Sequence, residues 1–373
     1  SGGTTRRAAK MVCLNIDHPD IEKFVDWKML EEQKVAVMVA GSRNLKLALS
    51  RIHSIAAKNP SLRENSELRD AVRDAARMSV PMAYIKRVIQ LASQGQQLNI
   101  REFNTHYESD AYATVSGQNS NNSVRVSNKF MEALAAGNDW NLLRRTDGKV
   151  AKTMKAQDLW RRMAYASWSC SDPGLQFDDT INEWHTCPAD GRINASNPCS
   201  EFMFLDDTAC NLASINLSKF FDGGSGRFDI DGYRHAIRIW TIVLEISVLM
   251  AQYPSRETAE NSYIYRALGL GYANLGSLLM RMGVPYDSEK GRSVAAALTA
   301  VLTGESYATS AEMARHLGAF EGYKANAKHM LRVIRNHRRA AYHVDPSEYE
   351  GLTVTPLGID QAYCPDEMLG AAR

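Results

Sequence analysis

A short segment in the middle of the chain places three chemically capable side chains at alternate positions: Asn197, Cys199 and Glu201. In an extended segment alternate side chains point to the same side, so the spacing predicts that all three face one site. A thiol and a carboxylate in one pocket can act as a hydrogen or electron donor and a general base. The charge of Glu201 disfavours a second anion beside it, which favours radical or redox chemistry over an ordinary nucleophilic thiolate.

A second thiol, Cys210, follows in the run from Asp206 to Leu212. Two cysteines at this spacing are also common as buried structural residues, so the residues alone leave that alternative open. Cys170, Cys187, Cys199 and Cys210 could together suggest a zinc site with His185. Structural zinc usually takes close ligand pairs, which are absent from this set, and we expect no metal site.

The elements that must position these side chains alternate between short apolar runs and longer amphipathic segments. This pattern predicts an α/β protein built on a mainly parallel sheet or barrel. Strands or extended segments are predicted over 10–16, 34–39, 124–126 and 173–178. Helices are predicted over 19–27, 127–136, 156–168, 231–252, 265–282, 288–316 and 325–341.

Two regions differ from this alternation. Residues 43–103 carry apolar side chains at helical spacings throughout, including Leu45, Leu47 and Leu49, and are interpreted as a helical insertion. Residues 180–217 are polar and rich in predicted loops. Within 265–282, Gly269 and Gly271 are interpreted as close helix packing and not as a dinucleotide loop, because no strand is predicted before them.

The composition is that of an ordinary globular protein: 373 residues, 45% hydrophobic and 23% charged. The 44 basic and 42 acidic residues leave a net charge of +2, which gives no electrostatic argument for nucleic acid or an anionic membrane as a partner. Without a signal peptide or a long uninterrupted apolar run, we expect a reducing, cytoplasmic setting. Both ends look cut, so we expect a fragment of a longer chain.

The residues around these candidates carry a family resemblance. The segment 197–201, with Cys210 and the run 211–217, resembles the active-site region of ribonucleotide reductase large chains. Further segments resemble the adenosylcobalamin-dependent class in particular: 2–7, 17–20, 172–176, 182–188 and 265–272. They span nearly the whole chain and occur in the family's order.

This resemblance implies a ten-stranded α/β barrel with the segment 197–201 on a loop inside it. It implies that Cys199 becomes a thiyl radical that abstracts the ribose 3′ hydrogen, and that Glu201 is the base on the 3′ hydroxyl. Asn197 would bind the substrate hydroxyls. Cys210 would be one of two thiols that reduce the 2′ carbon. Adenosylcobalamin would generate the radical, while the protein positions the reactants.

The resemblance also implies partners. Gly2, Gly3, Arg6 and Arg7 are similar to the end of a loop that relays the identity of a bound effector to the substrate site, although Arg6 and Arg7 could be plain solvent-facing charges. The expected partners are a ribonucleotide substrate, a deoxynucleotide or ATP effector, a thiol reductant such as thioredoxin, and a second copy in a homodimer. We expect no membrane and no direct nucleic-acid contact.

The sequence departs from the family in lacking the partner of Cys210, the phosphate-binding loop and the C-terminal cysteine pair. Residues 1–373 are therefore interpreted as an incomplete catalytic barrel domain, and we expect the isolated fragment to be inactive. The alternatives are the large chain of an iron-dependent reductase, a non-catalytic nucleotide-binding chain of the same fold, and one half of a split enzyme.

Overall fold

The computed structural model describes residues 9–106 and 108–373, and these divide into two compact units. The first unit contains the chain up to Val124 together with Phe130–Leu175. The second contains Arg125–Lys129 and Gln176–Arg373. Both contain helices and strands, as the sequence predicted. The predicted effector-loop residues Gly2, Gly3, Arg6 and Arg7 lie outside the described residues.

The elements that begin in the first part of the chain are six helices and five strands of the described residues. The helices are α1 (Ile21–Ala56), α2 (Ser66–Arg77), α3 (Met82–Ser93), α4 (Asp110–Ala113), α5 (Asn128–Ala136) and α6 (Ala156–Cys170). The strands are β1 (Lys10–Asn15), β2 (Ser120–Val126), β3 (Asp139–Leu143), β4 (Val150–Lys155) and β5 (Gly174–Phe177). β1, β2 and β5 form a sheet in the order β1-β2-β5, and β3 pairs with β4 in an antiparallel hairpin.

The long helix α1 corrects the predicted strand over 34–39. Val35 and Val39 are both buried and lie four residues apart, which is one face of a helix. A short β-branched run fits either a strand or a buried helix segment, and only its continuation decides between them. Because α1 runs from Ile21 to Ala56, residue 43 is not a structural boundary.

Residues 43–103 are helical in α1, α2 and α3, which pack around a shared apolar cluster. Leu49 and Ile52 from α1 meet Leu68 from α2 and Ile85 from α3 in this cluster. Leu47, by contrast, is 70% exposed. The interpretation of this region as an insertion in a larger domain stays a prediction.

The second unit contains several long helices and one parallel strand pair. Its helices are α7 (Asp178–Glu183), α8 (Ile230–Met250), α9 (Arg256–Tyr265), α10 (Leu275–Arg281), α11 (Glu289–Leu317), α12 (Tyr323–Tyr342) and α13 (Asp366–Ala372). Its strands are β6 (Asn211–Asn216), β7 (Phe221–Asp222), β8 (Arg227–Phe228) and β9 (Leu268–Ala273). β6 and β9 are parallel and in register from Asn211–Leu268 to Asn216–Ala273.

An apolar core that is shared by several helices holds this unit together. It includes Tyr233 and Ile237 of α8, Leu278 of α10 and Leu298 of α11, all of which are fully buried. The parallel pair β6–β9 is connected through α8 and α9, and α8 packs against both strands. This places the amino ends of β6 and β9 side by side, with Cys210 immediately before β6.

The predicted helix over 265–282 is wrong in its first part. Residues 268–273 form β9, and a helix begins only at Leu275, after Asn274 in a left-handed conformation (φ 67°). The run Leu-Gly-Leu-Gly-Tyr-Ala is short and apolar, as strands buried in a parallel sheet are. The polar, loop-rich interpretation of 180–217 likewise missed β6.

Within residues 9–106 and 108–373 the strands form one three-stranded sheet and three two-stranded ones, without closing into a barrel. Among these residues no helix combines the length and the apolar composition that are needed to cross a membrane.

A matched pair of leucines on α1 tests the packing of the helical region. Leu49→Ala removes a side chain that is 3% exposed and should lower the free energy of unfolding by about 3 kcal/mol, since it leaves a cavity. Leu47→Ala, two residues away, should change it by less than about 0.5 kcal/mol. Urea denaturation of both variants measures the difference. Equal losses would contradict the described helix faces.

Candidate functional site

The segment that carries Asn197, Cys199 and Glu201 is a tight turn, and the predicted extended conformation is wrong. The backbone N–H of Ser200 donates to the carbonyl of Asn197 at 3.0 Å, and Ser200 has a φ of 65°. Pro198 occupies the second position of this turn, where its fixed φ is favourable. The side-chain Oδ1 of Asn197 accepts a hydrogen bond from the backbone of Phe202 at 2.9 Å and closes the loop.

The turn gives its side chains different exposure. Cys199 is exposed near the apex, and Glu201 is also exposed. Asn197 is half-buried at the base. The thiol of Cys199 is therefore accessible to a large molecule. The three side chains do not share one pocket, as the predicted extended segment would have required.

Gln176 holds this turn from the neighbouring strand. Its side chain is buried, at 3% exposed, and its Nε2 donates to Ser196 Oγ at 2.7 Å and to Ser200 Oγ at 3.2 Å. These two hydroxyls flank Cys199 in the sequence. A neutral amide that bridges both sides of the turn fixes its position without adding charge next to the thiol.

Two further side chains hold the chain just before the turn. Asn182 of α7 pairs with the backbone of Ile193, accepting from its N–H at 3.0 Å and donating to its carbonyl at 3.2 Å. Arg125 of β2 also donates to the Ile193 carbonyl, at 2.8 Å, and to Gln176 Oε1 at 3.3 Å. The Arg125 guanidinium pairs with Asp178, whose second oxygen pairs with Arg192.

These supporting residues were missed by the sequence analysis. Arg125 is 2% exposed within the predicted strand 124–126. A charged residue flanked by two valines in a short strand is a signal for a buried, paired charge. Gln176 and Asn182 carry no comparable signal, because their partners lie on distant parts of the chain.

Cys210 lies half-buried just before β6, and its Sγ lies 3.4 Å from the carbonyl oxygen of Asn211. Burial, and secondly the negative charge of Glu201, raise the pKa of the Cys210 thiol to about 11. The structure therefore brings the carboxylate of the turn close enough to Cys210 to act on its ionisation. At neutral pH Cys210 is a protonated thiol.

His185, considered above as a zinc ligand, is a structural residue. It is 1% exposed; its Nε2 lies 3.1 Å from the Gly191 carbonyl and its Nδ1 accepts from the backbone of Cys187 at 3.3 Å. Burial lowers the pKa of His185. In residues 9–106 and 108–373 no three or more His, Cys, Asp or Glu side chains form a group that could hold a metal ion.

A cavity of about 540 Å³ lies elsewhere in the second unit, between α7 and α12, and its lining includes none of the four candidate site residues. Some of its charged groups are engaged by neighbours: Arg335 pairs with Glu350, and Glu183 accepts from the backbone of Thr353 at 2.8 Å.

A comparison with known families identifies the family of this chain. A family model described as "Ribonucleotide reductase, barrel domain" matches residues 1–352. The chain belongs to the ribonucleotide reductase family. The match contains the turn 197–201, Cys210 and every side chain described above that supports them.

Several curated relatives of this ribonucleotide reductase chain are named vitamin B12-dependent ribonucleotide reductase. One from Agrobacterium fabrum is 55% identical over 379 residues, which cover 100% of this chain and 30% of the relative. One from Bradyrhizobium diazoefficiens is 56% identical over 373 residues, covering 98% and 30%. One from Streptomyces avermitilis is 41% identical over 343 residues, covering 91% and 29%. The chain thus spans less than a third of these relatives.

Two arginines that share Asp178 provide a matched test of the support for the reductase turn. The Arg125 side chain is 1% exposed and the Arg192 side chain is 58% exposed. Arg125→Ala should destabilise the protein by about 3 kcal/mol, because it removes the buried partner of Asp178 and the hydrogen bonds that the guanidinium donates to Gln176 and Ile193. Arg192→Ala should cost at most about 1 kcal/mol, as for exposed pairs. Urea denaturation of both variants measures this, and equal costs would contradict it.

Glu201→Gln tests the coupling between the turn and the second thiol. Removing the carboxylate should lower the pKa of Cys210 from about 11, but leave it above the ordinary value of 9.0, because burial is the larger cause. The pH dependence of Cys210 alkylation, followed by peptide mass spectrometry, measures this pKa. Asp206→Asn, on an exposed neighbouring residue, is the control and should leave the pKa unchanged.

The pKa of Cys210 is higher in the folded than in the unfolded protein. The buried protonated thiol therefore makes its full contribution to the free energy of unfolding below about pH 9. That contribution is lost as the pH rises through 9 to about 11. In Glu201→Gln the same loss should begin at the same pH and end at a lower one. A Cys210 titration curve identical in the two proteins would show that the carboxylate does not act on this thiol.

Proposed function

We propose that this chain carries the radical and thiol chemistry of a cobalamin-dependent ribonucleotide reductase, as part of a longer enzyme. The reaction is the reduction of ribonucleotides to 2′-deoxyribonucleotides, which supply DNA synthesis. One observation carries the proposal: an exposed thiol, Cys199, lies on a turn whose carboxylate, Glu201, acts electrostatically on a second thiol, Cys210. Family membership and the names of the relatives support the same reaction.

Cys199 and Glu201 act on the 3′ position of the ribose in this proposal. The Cys199 thiyl radical takes the 3′ hydrogen atom and becomes a thiol, which leaves a carbon radical on the substrate. Glu201 accepts the proton of the 3′ hydroxyl as the 2′ hydroxyl, protonated by one of the two reducing thiols, leaves as water. The exposure of both side chains allows a nucleotide to reach them.

Asn197 and Cys210 complete the set. The Oδ1 of Asn197 is engaged by the backbone of Phe202, so Asn197 would bind a substrate hydroxyl through its Nδ2 donor. Cys210 and a second thiol together supply two electrons and two protons. One proton leaves with the 2′ oxygen as water, the other ends on the 2′ carbon, and the two thiols become a disulfide. Glu201 then returns its proton to the 3′ oxygen, and the Cys199 thiol returns its hydrogen atom to the 3′ carbon and becomes a radical again. A raised pKa suits this role, because Cys210 must supply a proton together with an electron.

The residues around Cys199 fit a cobalamin of the kind named for the relatives. The thiol is exposed on a turn instead of being enclosed, so a large cofactor can come into contact with it. When bound, adenosylcobalamin supplies the one-electron chemistry that converts the Cys199 thiol into a radical. This chain positions the Cys199 thiol through the hydrogen bonds from Gln176 to Ser196 and Ser200.

The ten-stranded barrel is also part of the proposal. The parallel pair β6–β9, connected through α8, is a unit from which such barrels are built, and the matching family model is named for a barrel domain. A deoxynucleotide or ATP effector, a thiol reductant such as thioredoxin and a homodimer stay predictions, as does the cytoplasmic setting.

The test places this chain in the context of a complete enzyme. The corresponding segment of the Agrobacterium fabrum relative is replaced by residues 1–373, and deoxynucleotide formation is assayed with dithiothreitol, with and without adenosylcobalamin. We expect product only with the cofactor. Cys199→Ser should abolish it, and Glu201→Gln should lower the rate by about 100-fold or more, as expected for loss of a general base.

Two thiol variants separate the proposed roles from general thiol chemistry. Cys210→Ser should abolish multiple turnover with dithiothreitol. Cys170→Ser removes a half-buried thiol at the end of α6 and should leave the rate unchanged. Product without cobalamin would favour the iron-dependent class, and nucleotide binding without product in the unaltered chimera would favour a non-catalytic chain. Turnover that survives Cys199→Ser would overturn the radical role.

A further inference from the structure

The thiol of Cys210 lies against a position that has no side chain. A Cβ atom built on Gly269 would lie 2.6 Å from Cys210 Sγ. The same atom would lie 2.5 Å from Leu212 Cδ2 and 2.8 Å from the carbonyl oxygen of Asn211. Carbon and sulfur do not approach so closely, so any side chain at 269 would have to displace the thiol or the strand that follows it.

The strand register explains why the two residues meet. Gly269 of β9 is paired with Leu212 of the parallel strand β6, and β6 begins immediately after Cys210. Gly271, two positions further along β9, is paired with Ser214. A Cβ on Gly271 would find only Ser214 Oγ, at 4.0 Å, which is ordinary contact. The crowding is therefore specific to position 269 and is not a general property of β9.

Backbone conformation gives no reason for glycine at 269. The glycines with a positive φ among the described residues do not include it, so an alanine could adopt the same backbone angles. The requirement for glycine comes from space alone. It is the space occupied by the Cys210 sulfur, the Leu212 side chain and the Asn211 carbonyl.

The start of β6 cannot simply move aside, because it is held by α8. Asn211 donates through its Nδ2 to the carbonyl of Leu244 at 2.6 Å and also to the hydroxyl of Ser247. These bonds fix the residue next to Cys210 against the helix. The thiol of Cys210 thus lies between Gly269 of β9, which has no side chain, and Asn211 at the start of β6, which is bonded to α8.

We propose that Gly269 is a positioning residue for Cys210: its missing side chain forms the space in which the reducing thiol sits. The proposal rests on the proposed function for the role of Cys210, but the placement itself is independent of turnover. It adds β9 to the parts of the chain that determine where the second thiol lies.

The first test measures the thiol directly in the 373-residue chain. Gly269→Ala should push Sγ out of its buried position, which lowers the pKa of Cys210 from about 11 towards 9.0. Alkylation of Cys210 by iodoacetamide near pH 8 should then be at least about 3-fold faster, since the thiolate fraction rises as the pKa falls. Gly271→Ala is the matched control and should alkylate at the rate of the unaltered chain. Buried Cys364 is the internal reference for a loss of fold.

The second test does not require the thiol to react. Gly269→Ala is compared in the unaltered chain and in a Cys210→Ala background, from which the sulfur is missing. Residues in direct contact show coupled effects. The fall in Tm should therefore be smaller in the Cys210→Ala background, by about 2 °C or more. The contacts with Leu212 and Asn211 are common to both backgrounds and cancel in the comparison.

The outcomes separate this proposal from the proposed function. Equal alkylation profiles in Gly269→Ala and Gly271→Ala, or equal falls in Tm in the two backgrounds, would overturn the positioning role of Gly269. Neither result involves deoxynucleotide formation. If instead Gly269→Ala changes the thiol as expected while Cys210→Ser retains full turnover, the placement stands and the reducing role of Cys210 is wrong.

Discussion

The buried guanidinium of Arg125 is the constraint on which the candidate site depends. Removing a charge from water is unfavourable unless every donor finds an acceptor, so the fold is stable only when Gln176, Asp178 and the Ile193 carbonyl take their places around it. Gln176 is then fixed by its oxygen, and its amide nitrogen is directed at Ser196 and Ser200. The turn that presents Cys199 is therefore held by a charge that makes no contact with the chemistry.

The two thiols rest on different kinds of support, and this suits different roles. Cys199 is exposed on a turn held by side-chain hydrogen bonds, which leaves it open to a large cofactor. Cys210 is half-buried at the start of a strand, beside Gly269 and next to the anchored Asn211. Glu201 links them: it belongs to the turn of the first thiol and raises the pKa of the second. In the proposed function the same carboxylate acts on both the substrate and the reducing thiol.

The sequence predicted the family correctly but not the shape of the site. The types and order of Asn197, Cys199, Glu201 and Cys210 identify a family, and strongly periodic helices such as 231–252 and 288–316 are confirmed as α8 and α11. The extended segment was wrong because Pro198 and the hydrogen bond from Phe202 to Asn197 favour a turn locally. The strand over 34–39 was wrong because a short apolar run has no period of its own. Gln176 and Gly269 could not be found from sequence, since their importance lies in partners brought close only by the fold.

Ser200 adopts a left-handed backbone conformation, with φ at 65°, that glycine accepts freely and serine does not. Holding a residue with a side chain there costs roughly 1–2 kcal/mol, which the bond from Gln176 helps to offset. The turn is thus maintained both by Pro198 and the bond from Phe202 to Asn197 and by Gln176 of the neighbouring strand. The position of the Cys199 thiol therefore depends on Gln176, a residue that lies outside the turn that carries it.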